Sequence, residues 1–400
     1  MVPGELGLPT ETPAGRARGR WGARAAKARA ESPREALGAA DSAAGCGEEA
    51  TVARSWRRPR SGASAAAPPA LAREGPERPG VGCVIRLRRG LGMPQLGLGG
   101  GGLEGIDGRK AVAAALLAGY RLIDTALYYG TERDIAAGIR LAGLARSDVF
   151  ITTKLLQKAH ASGEQVRASL MESLKNLGTN YVDLYLIHNP RAGRIKEVWS
   201  LLLQMREEGL IRAVGVSNFG IGQLEGMREA GLELPEVNQI EIHCWRQLPE
   251  VTAYHKQHGI ATMCMAPLAR GRMFDRSELA IIARELGRTE AEVAIRWSLQ
   301  KGYIPIPKSI NPDRILANRA DGFDLSDACM ARIAALDSGF LSCTMASPCH
   351  ELSWDLVADA IPRPETWGGG QRQAKGASGR GKGKEGGGGY DRRSDISDFR

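Results

Sequence analysis

The segment Leu122-Ile-Asp-Thr-Ala-Leu-Tyr-Tyr-Gly-Thr-Glu132 begins with a short apolar run that ends at a carboxylate. Similar runs of strand length recur along the chain and alternate with stretches of helical periodicity. Further runs lie at residues 149–154, 182–188, 211–216, 236–239, 260–264 and 303–308, and helical patterns include 165–177, 198–208 and 290–300. Strands and helices that alternate in this way predict a parallel sheet.

These seven runs and an eighth strand at 94–98 predict an α/β fold, a (β/α)8 TIM barrel of about 260 residues, which is the usual size of that architecture. An apolar piece at 84–87, followed by a glycine-containing turn, adds an N-terminal β-hairpin. The predicted barrel domain therefore covers residues 81–340, and a C-terminal segment follows at 341–366.

The two ends of the 400-residue chain differ from this middle part. Residues 1–80 are rich in Ala, Arg, Gly and Pro and predict a disordered, low-complexity extension. Residues 367–400 carry glycine runs among lysines and arginines and predict a Gly-rich disordered tail. Most of the net charge of +9 lies in these ends. The basic balance therefore gives no reason to expect nucleic acid as a partner of the barrel.

The composition also limits the compartment and the type of site. Seven cysteines without a C-x-x-C pair argue against a disulfide framework and a zinc ribbon. The spacing of Cys343, Cys349 and His350 does not fit a zinc site, so no metal is expected. Met1 to Arg20 contain no apolar run, so no secretory signal peptide is expected, and the longest apolar stretch is too short for a membrane span of roughly twenty residues. We expect a cytoplasmic protein, with an organelle transit peptide in the N-terminal extension as the alternative.

Mostly polar residues end the predicted strands, and in such a barrel the strand ends form one face. They are Asp124, Lys154, His188, Asn218, Gln239, Met265 and Lys308. Each of these residues alone has a plainer explanation, such as a helix cap, a solvated lysine or a hydrogen-bonded core histidine. Together, at intervals of about one strand–helix unit, they predict a single pocket.

Six short motifs at this spacing resemble the aldo-keto reductase superfamily, and in particular its short-loop reductases of sugars, keto acids and aldehydes. Besides 122–132, the motifs are Thr152-Thr-Lys-Leu155, Leu186-Ile-His-Asn-Pro190, Val214-Gly-Val-Ser-Asn-Phe219, Val237-Asn-Gln239 and Ile306-Pro-Lys-Ser309. The resemblance extends in consistent order from Gly82 to Asp337. It implies that NADPH reduces an aldehyde or ketone to an alcohol by hydride transfer, with a small-molecule carbonyl compound as substrate.

The resemblance also implies a catalytic tetrad. Its members are Asp124, Tyr129, Lys154 and His188. Tyr129 would act as general acid, and a Lys154 cation would lower its phenol pKa from about 10. Asp124 would keep the lysine charged, and His188 would orient the carbonyl oxygen. The family spacing selects Tyr129 over Tyr128, which is expected to be a packing residue.

The cofactor site implied by the resemblance lies at other strand ends. Ser217, Asn218 and Gln239 match the residues that bind the nicotinamide carboxamide. Met265 matches the position that covers the nicotinamide ring, and Leu268 lies in the segment that follows the pyrophosphate. The residues that match the adenosine end are Lys308, Ser309, Arg314 and Asn318. Lysine and arginine at that end favour NADP(H) over NAD(H), because they can clamp a phosphate. The plainer alternatives are a turn at 217–218 and a solvated helix face at Arg314.

Several residues depart from the family pattern. Gly100 and Gly101 stand where many members have Thr-Trp, and Met265 stands where an aromatic ring is usual. These changes predict an open substrate pocket, with His243 and Trp245 near its rim as partial replacements. The C-terminal segment does not match the family well, so the sequence does not identify the substrate.

Other interpretations stay open at this point. Gly97–Gly102 matches G-x-G-x-x-G, with Asp124 about twenty residues further on, but we interpret it as a plain glycine loop. The alternative function is a non-catalytic regulatory subunit of the same fold that senses its cofactor, although a complete tetrad argues against it. A weaker alternative is RNA binding through the basic ends. We expect a monomer or a weak oligomer.

Overall fold

The computed structural model describes residues 80–275, 278–343 and 352–359. The predicted N-terminal extension up to residue 79 and the predicted tail at 367–400 lie outside these ranges. Within them the strands are β1 Val84–Arg86, β2 Gly92–Pro94, β3 Gly97–Gly99, β4 Leu122–Asp124, β5 Phe150–Leu155, β6 Val182–Ile187, β7 Ile211–Ser217, β8 Val237–Glu241, β9 Ala261–Met265 and β10 Ile304–Pro305. The helices are α1 Gly105–Leu117, α2 Glu132–Leu141, α3 Gly163–Leu177, α4 Ile195–Glu207, α5 Ile221–Glu229, α6 Pro249–Gln257, α7 Glu278–Glu285, α8 Glu290–Gln300, α9 Pro312–Ala317, α10 Asp327–Ala334 and α11 Trp354–Ala358.

Strands β3 to β10 form one sheet in which each strand pairs in parallel with the next along the chain. The Gly99 N–H donates to the Pro307 carbonyl at 3.0 Å and so links the first strand to the end of the last. Helices follow the strands around this ring. The predicted (β/α)8 barrel is therefore confirmed, and we call the carboxyl ends of β3 to β10 the barrel mouth.

Glycine is needed where the ring closes. A Cβ on Gly99 would lie 2.9 Å from the Ile306 carbonyl oxygen, and a Cβ on Gly97 would lie 2.6 Å from the Leu122 side chain. Only glycine allows such close approach. The G-x-G-x-x-G pattern thus comes from a barrel strand and the turn after it, not from a dinucleotide-binding turn.

The N-terminal hairpin forms, but not with the predicted strands. β1 pairs antiparallel with β2, whose last residue is Pro94, and the first barrel strand begins only at Gly97. The predicted strand at 94–98 is therefore wrong in its bounds. Proline cannot donate to a further ladder bond, and the Gln95 side chain, which follows it, is buried and donates to the Leu299 carbonyl at 2.9 Å. The chain thus turns between the two strands.

The inward-facing barrel residues change character along each strand. Near the strand beginnings they are apolar and pack together with Met93 of the hairpin. Examples are Leu122, Phe150 and Leu184, which lie two or four residues before Asp124, Lys154 and His188. Side chains two apart share a face of a strand. The same alternation therefore directs the polar side chains near the carboxyl ends of the strands into the barrel mouth.

Candidate active site

A buried ion pair lies at the centre of the barrel mouth. Lys154 Nζ on β5 donates to Asp124 Oδ1 on β4 at 2.7 Å and to the Thr125 carbonyl at 2.8 Å. The Lys154 side chain is fully buried and that of Asp124 nearly so. A buried charge is costly unless it is paired and hydrogen-bonded. Here Asp124 supplies the opposite charge, and the Thr125 carbonyl supplies a further hydrogen-bond acceptor.

Tyr129 and His188 complete this cluster. Tyr129 ends the short 3₁₀ turn Leu127–Tyr129 after β4, and its hydroxyl lies 3.5 Å from Lys154 Nζ. The ring of His188, just after β6, lies 5.8 Å from the Tyr129 ring, centroid to centroid, at an interplanar angle of 83°. Both side chains are half-buried. The structure thus brings together all four residues that the resemblance named as catalytic.

Burial and the central charges set the protonation of this cluster. Burial raises the pKa of Asp124 more than Lys154 lowers it. Burial opposes the charge of Lys154, but the partner groups, foremost the Asp124 carboxylate, raise the lysine pKa overall. Burial together with the Lys154 cation lowers the pKa of His188 to about 3. The His188 imidazole is therefore neutral at physiological pH.

The expected effect of Lys154 on the pKa of Tyr129 is present, but burial acts against it. Burial raises the pKa of the Tyr129 phenol, and the Lys154 cation lowers it by a smaller amount. Lys154 thus acts in the expected direction, but the net direction is upward because burial outweighs it. The reason is that the mouth removes water from the hydroxyl, and the lysine charge is already balanced by Asp124.

Gln239 connects the predicted cofactor side to the ion pair. It lies inside β8, not at its end as predicted, because the strand continues to Glu241. Gln239 Nε2 donates to Asp124 Oδ2 at 2.7 Å. Both Asp124 carboxylate oxygens are thus hydrogen-bonded, one by Lys154 and one by Gln239. No sequence signal pointed to this contact beyond the inward direction that Gln239 shares with Val237.

Ser217 and Asn218 connect the ends of β6 and β7 to the middle of β8. Ser217 Oγ donates to the Gln239 carbonyl at 2.9 Å, and Asn218 Nδ2 donates to the His188 carbonyl at 3.1 Å. Asn218 has a φ of 65°, in the left-handed region that asparagine tolerates better than most residues. These amide and hydroxyl groups border the mouth beside His188. They have the chemistry to bind a carboxamide.

The other predicted cofactor residues lie along the β9–β10 side. Met265 ends β9 and is half-buried, and Leu268 lies in the loop that follows. In that loop Ala266 and Ala269 each have a φ of 48°, a conformation that non-glycine residues rarely adopt and that clusters at functional sites.

The predicted adenosine end combines a turn with two cations. The Asn311 N–H donates to Ser309 Oγ at 3.1 Å, just before α9. Lys308 is half-buried, and burial lowers its pKa, whereas Arg314 is exposed on α9 and Asn318 is buried at the end of that helix. Two cationic side chains near this turn fit a group that carries phosphate. The described residues therefore suit a nicotinamide adenine dinucleotide cofactor at both ends.

Two expectations about the pocket rim are wrong. His243 and Trp245 are buried, because the chain beyond β8 bends back at a bridge between His243 and Arg246 and packs Trp245 against Phe274. Tyr128, expected to be a packing residue, contacts the rings of Tyr129 and His188 but is 55% exposed. Burial at these positions depends on how the loops fold, which the strand pattern does not specify.

Of the two glycine departures, only Gly101 leaves the pocket open, whereas Gly100 is buried and a Cβ there would lie 2.6 Å from the Asp124 carbonyl oxygen. Gly101 is exposed, and a Cβ there would contact the Tyr129 ring at 3.8 Å.

Within the described residues, no group of three or more His, Cys, Asp or Glu side chains could hold a metal ion. Cys349 and His350 lie outside those residues. No helix in the described ranges is long and apolar enough to cross a bilayer.

Comparisons with known proteins give consistent matches. The model of the aldo/keto reductase family matches residues 90–338. A glyoxal reductase of Bacillus subtilis (strain 168) is 39% identical over 257 residues, which are 64% of this chain and 92% of the relative. A methylglyoxal reductase of Escherichia coli (strain K12) is 37% identical over 265 residues, 64% of this chain and 94% of the relative. The crystal structure of a Bombyx mori aldo-keto reductase in complex with NADP has a TM-score of 0.62 and 32% identity, and the match covers 66% of this chain and 95% of that one.

Proposed function

This chain belongs to the aldo/keto reductase family, and we propose that it is an NADPH-dependent reductase that converts an aldehyde or ketone to the alcohol. The observation that carries the proposal is the contact of Lys154 Nζ with both Asp124 and the Tyr129 hydroxyl, beside a neutral His188. Such a cluster can bind a carbonyl oxygen and supply the proton that its reduction requires.

Each member of the cluster has a separate task. His188, as a neutral imidazole, donates a hydrogen bond that orients the carbonyl oxygen. The Tyr129 phenol, kept protonated by its raised pKa, gives its proton to that oxygen as negative charge develops there. The Lys154 cation stabilises the phenolate that remains, and Asp124 keeps the lysine charged and in place.

The cofactor supplies the hydride when bound. Ser217, Asn218 and Gln239 would hold the carboxamide, Met265 would cover the ring, and the loop at Leu268 would follow the pyrophosphate. The residues proposed for the adenosine end are Lys308, Ser309, Arg314 and Asn318. The two cations there are the reason to propose NADPH and not NADH.

The preference for NADPH is tested at Arg314, which is exposed on α9. Arg314→Ala removes a charged hydrogen-bonding partner of the extra phosphate, and such bonds contribute about 1.5–3 kcal/mol. We expect the Kd for NADPH, measured by fluorescence titration, to rise about tenfold or more. The Kd for NADH should not change. An equal loss for both cofactors would contradict the assignment of Arg314 to that phosphate.

The function itself is tested by NADPH consumption, followed by absorbance, with the full chain. The panel contains glyoxal and methylglyoxal, the compounds in the names of two relatives, together with simple aldehydes, keto acids and sugars. We expect turnover of at least one small carbonyl compound. Tight NADPH binding without turnover of any compound would favour the non-catalytic, cofactor-sensing alternative.

A further inference from the structure

We propose that Tyr128 forms an aromatic wall of the substrate pocket and gives the enzyme a preference for carbonyl compounds that carry a flat aromatic group. The inference rests on the proposed function, because it assigns a specificity-determining residue to the same site. It begins from the unexpected exposure of this ring at the barrel mouth.

Tyr128 is a large aromatic residue without the burial that such residues usually have. Its side chain is 55% exposed, although an aromatic ring gains free energy when it is removed from water. An exposed aromatic ring beside a catalytic cluster is a candidate for contact with a ligand. The question is therefore whether its position suits a substrate held at Tyr129 and His188.

The three rings form a compact group. The Tyr128 ring lies 6.3 Å from the His188 ring and 6.5 Å from the Tyr129 ring, centroid to centroid, with interplanar angles of 76° and 70°. His188 and Tyr129 are themselves 5.8 Å apart. A carbonyl oxygen bound by Tyr129 and His188 would place the substituent of that carbonyl within reach of Tyr128. Centroid distances of 4.5–7 Å are those at which aromatic rings attract each other.

The backbone that carries Tyr128 is ordered together with that of the proposed acid. Both tyrosines lie in the same 3₁₀ turn, in which the Tyr129 N–H donates to the Ala126 carbonyl at 3.0 Å. The turn is closed on both sides by a hydrogen bond of 3.0 Å between the hydroxyls of Thr125 and Thr131. A wall that is already ordered loses little conformational entropy when a substrate packs against it.

A second neighbour of the Tyr129 ring provides space. Gly101 borders the Tyr129 ring without a side chain and is exposed. A bulky residue there would compete with the substrate for the open side of the ring. The mouth therefore combines one aromatic side chain, Tyr128, with an open side at Gly101. This combination suits a flat substituent larger than a methyl group.

The test compares benzaldehyde with propanal, which share the reacting aldehyde group and differ in the substituent. Tyr128→Ala removes the wall and should lower kcat/KM for benzaldehyde about tenfold, mainly through KM, a loss that corresponds to about 1.4 kcal/mol. The value for propanal should fall less, so the ratio of the benzaldehyde value to the propanal value should drop. Tyr128→Phe keeps the ring and should behave like the wild type with both aldehydes. Leu117→Ala, a truncation of another exposed side chain on α1, is the matched control and should change neither value.

Three results would overturn the proposal, and they differ from one another. An unchanged ratio of the two kcat/KM values in Tyr128→Ala would show that the ring does not contact the substituent. A loss in Tyr128→Phe equal to that in Tyr128→Ala would show that the hydroxyl acts instead of the ring. A wild-type protein that reduces neither aldehyde, nor any other carbonyl compound, would contradict the proposed function itself.

Discussion

At the candidate site a single carboxylate organises its neighbours. Asp124 accepts from Lys154 with one oxygen and from Gln239 with the other. All three side chains are buried, so water can replace none of these partners. Because Lys154 in turn contacts the Tyr129 hydroxyl, the charge on Asp124 controls the group proposed to donate the proton.

Asp124→Asn should therefore affect both stability and turnover. The substitution leaves a buried lysine charge without its counter-charge, and the loss of one partner of a buried pair costs about 3–5 kcal/mol. Urea unfolding should show a loss of that order, and kcat for carbonyl reduction should fall sharply. Asp134→Asn, which removes the carboxylate of a half-exposed pair with Arg109, is the control and should cost less. Similar stability losses in the two variants would contradict the role of the buried pair.

The sequence predicted which residues meet at the site better than it predicted their exposure. Asp124, Lys154 and His188 could be placed together because all three share the inward direction of parallel strands. Tyr128, His243 and Trp245 could not be placed correctly, because they lie beyond strand ends. There the loop conformation, not the strand alternation, decides which side chain is buried.

Among the elements, the C-terminal helix α11 docks on the barrel by a close contact with α5. Trp354 packs against Gly226, and a Cβ on this glycine would lie 2.2 Å from the indole. Two polar contacts support the same docking: Gln223 Nε2 donates to the Leu352 carbonyl, and Lys196 pairs with Asp359 at 2.7 Å. Because Gly226 has no side chain, the Trp354 indole can pack directly against the backbone of α5.

Gly226→Ala should weaken the packing of Trp354 against α5. Alanine normally stabilises a helix interior by about 1 kcal/mol relative to glycine, but here its methyl group would occupy the position of the indole. We expect faster hydrogen exchange at residues 354–358 and a shifted tryptophan fluorescence. Gly222→Ala, in the same helix with open space around it, is the matched control and should not loosen the contact. Unchanged exchange in Gly226→Ala would show that Trp354 does not pack there in solution.

At this scale the sequence predicted helices more accurately than short strands. The predicted helix at 290–300 coincides with α8, because the Thr289 side chain accepts from the Glu292 N–H and so marks its beginning. The hairpin and the first barrel strand were wrong in their bounds. Strands of three residues carry too little pattern to fix their ends, and tertiary contacts such as that of Gln95 decide them.

For the whole molecule, buried histidines make stability depend on pH, and two of them lie outside the catalytic cluster. His160 contacts the Gly193 carbonyl at 2.7 Å, and His255 contacts Thr262 at 2.9 Å. Burial lowers the pKa of each to about 4, against about 6.5 in the unfolded chain. The unfolded chain therefore binds protons at a higher pH than the folded protein. Their contribution is fully present above pH 6.5 or so and is lost as the pH falls towards 4.

Each of these histidines should add about 1.4 kcal/mol per pH unit to the slope of unfolding free energy over this range. Urea unfolding between about pH 7 and pH 5 measures the slope. Glutamine cannot bind the proton, so His255→Gln should lower the slope by about 1.4 kcal/mol per pH unit, the contribution of one histidine. A slope that is the same in the variant and the wild type would contradict the assignment.

The barrel as a whole was predictable because eight strand-like runs alternate with helices, and few topologies satisfy that pattern. Its closure at Gly99 was not predictable, since it depends on an approach between chain segments far apart in sequence. The domain bounds at both ends, the cytoplasmic location and the weak or absent oligomerisation stay predictions.

The central claim is that the buried cluster at the barrel mouth delivers a proton from Tyr129. Its most direct test is the kcat of Tyr129→Phe for the best carbonyl substrate of the wild type, measured together with the Kd for NADPH. We expect kcat to fall by about a hundredfold or more, because general acid catalysis contributes 10²–10⁴-fold, while the Kd stays unchanged. Retained turnover in this variant would contradict the account, because the proton would then come from another group.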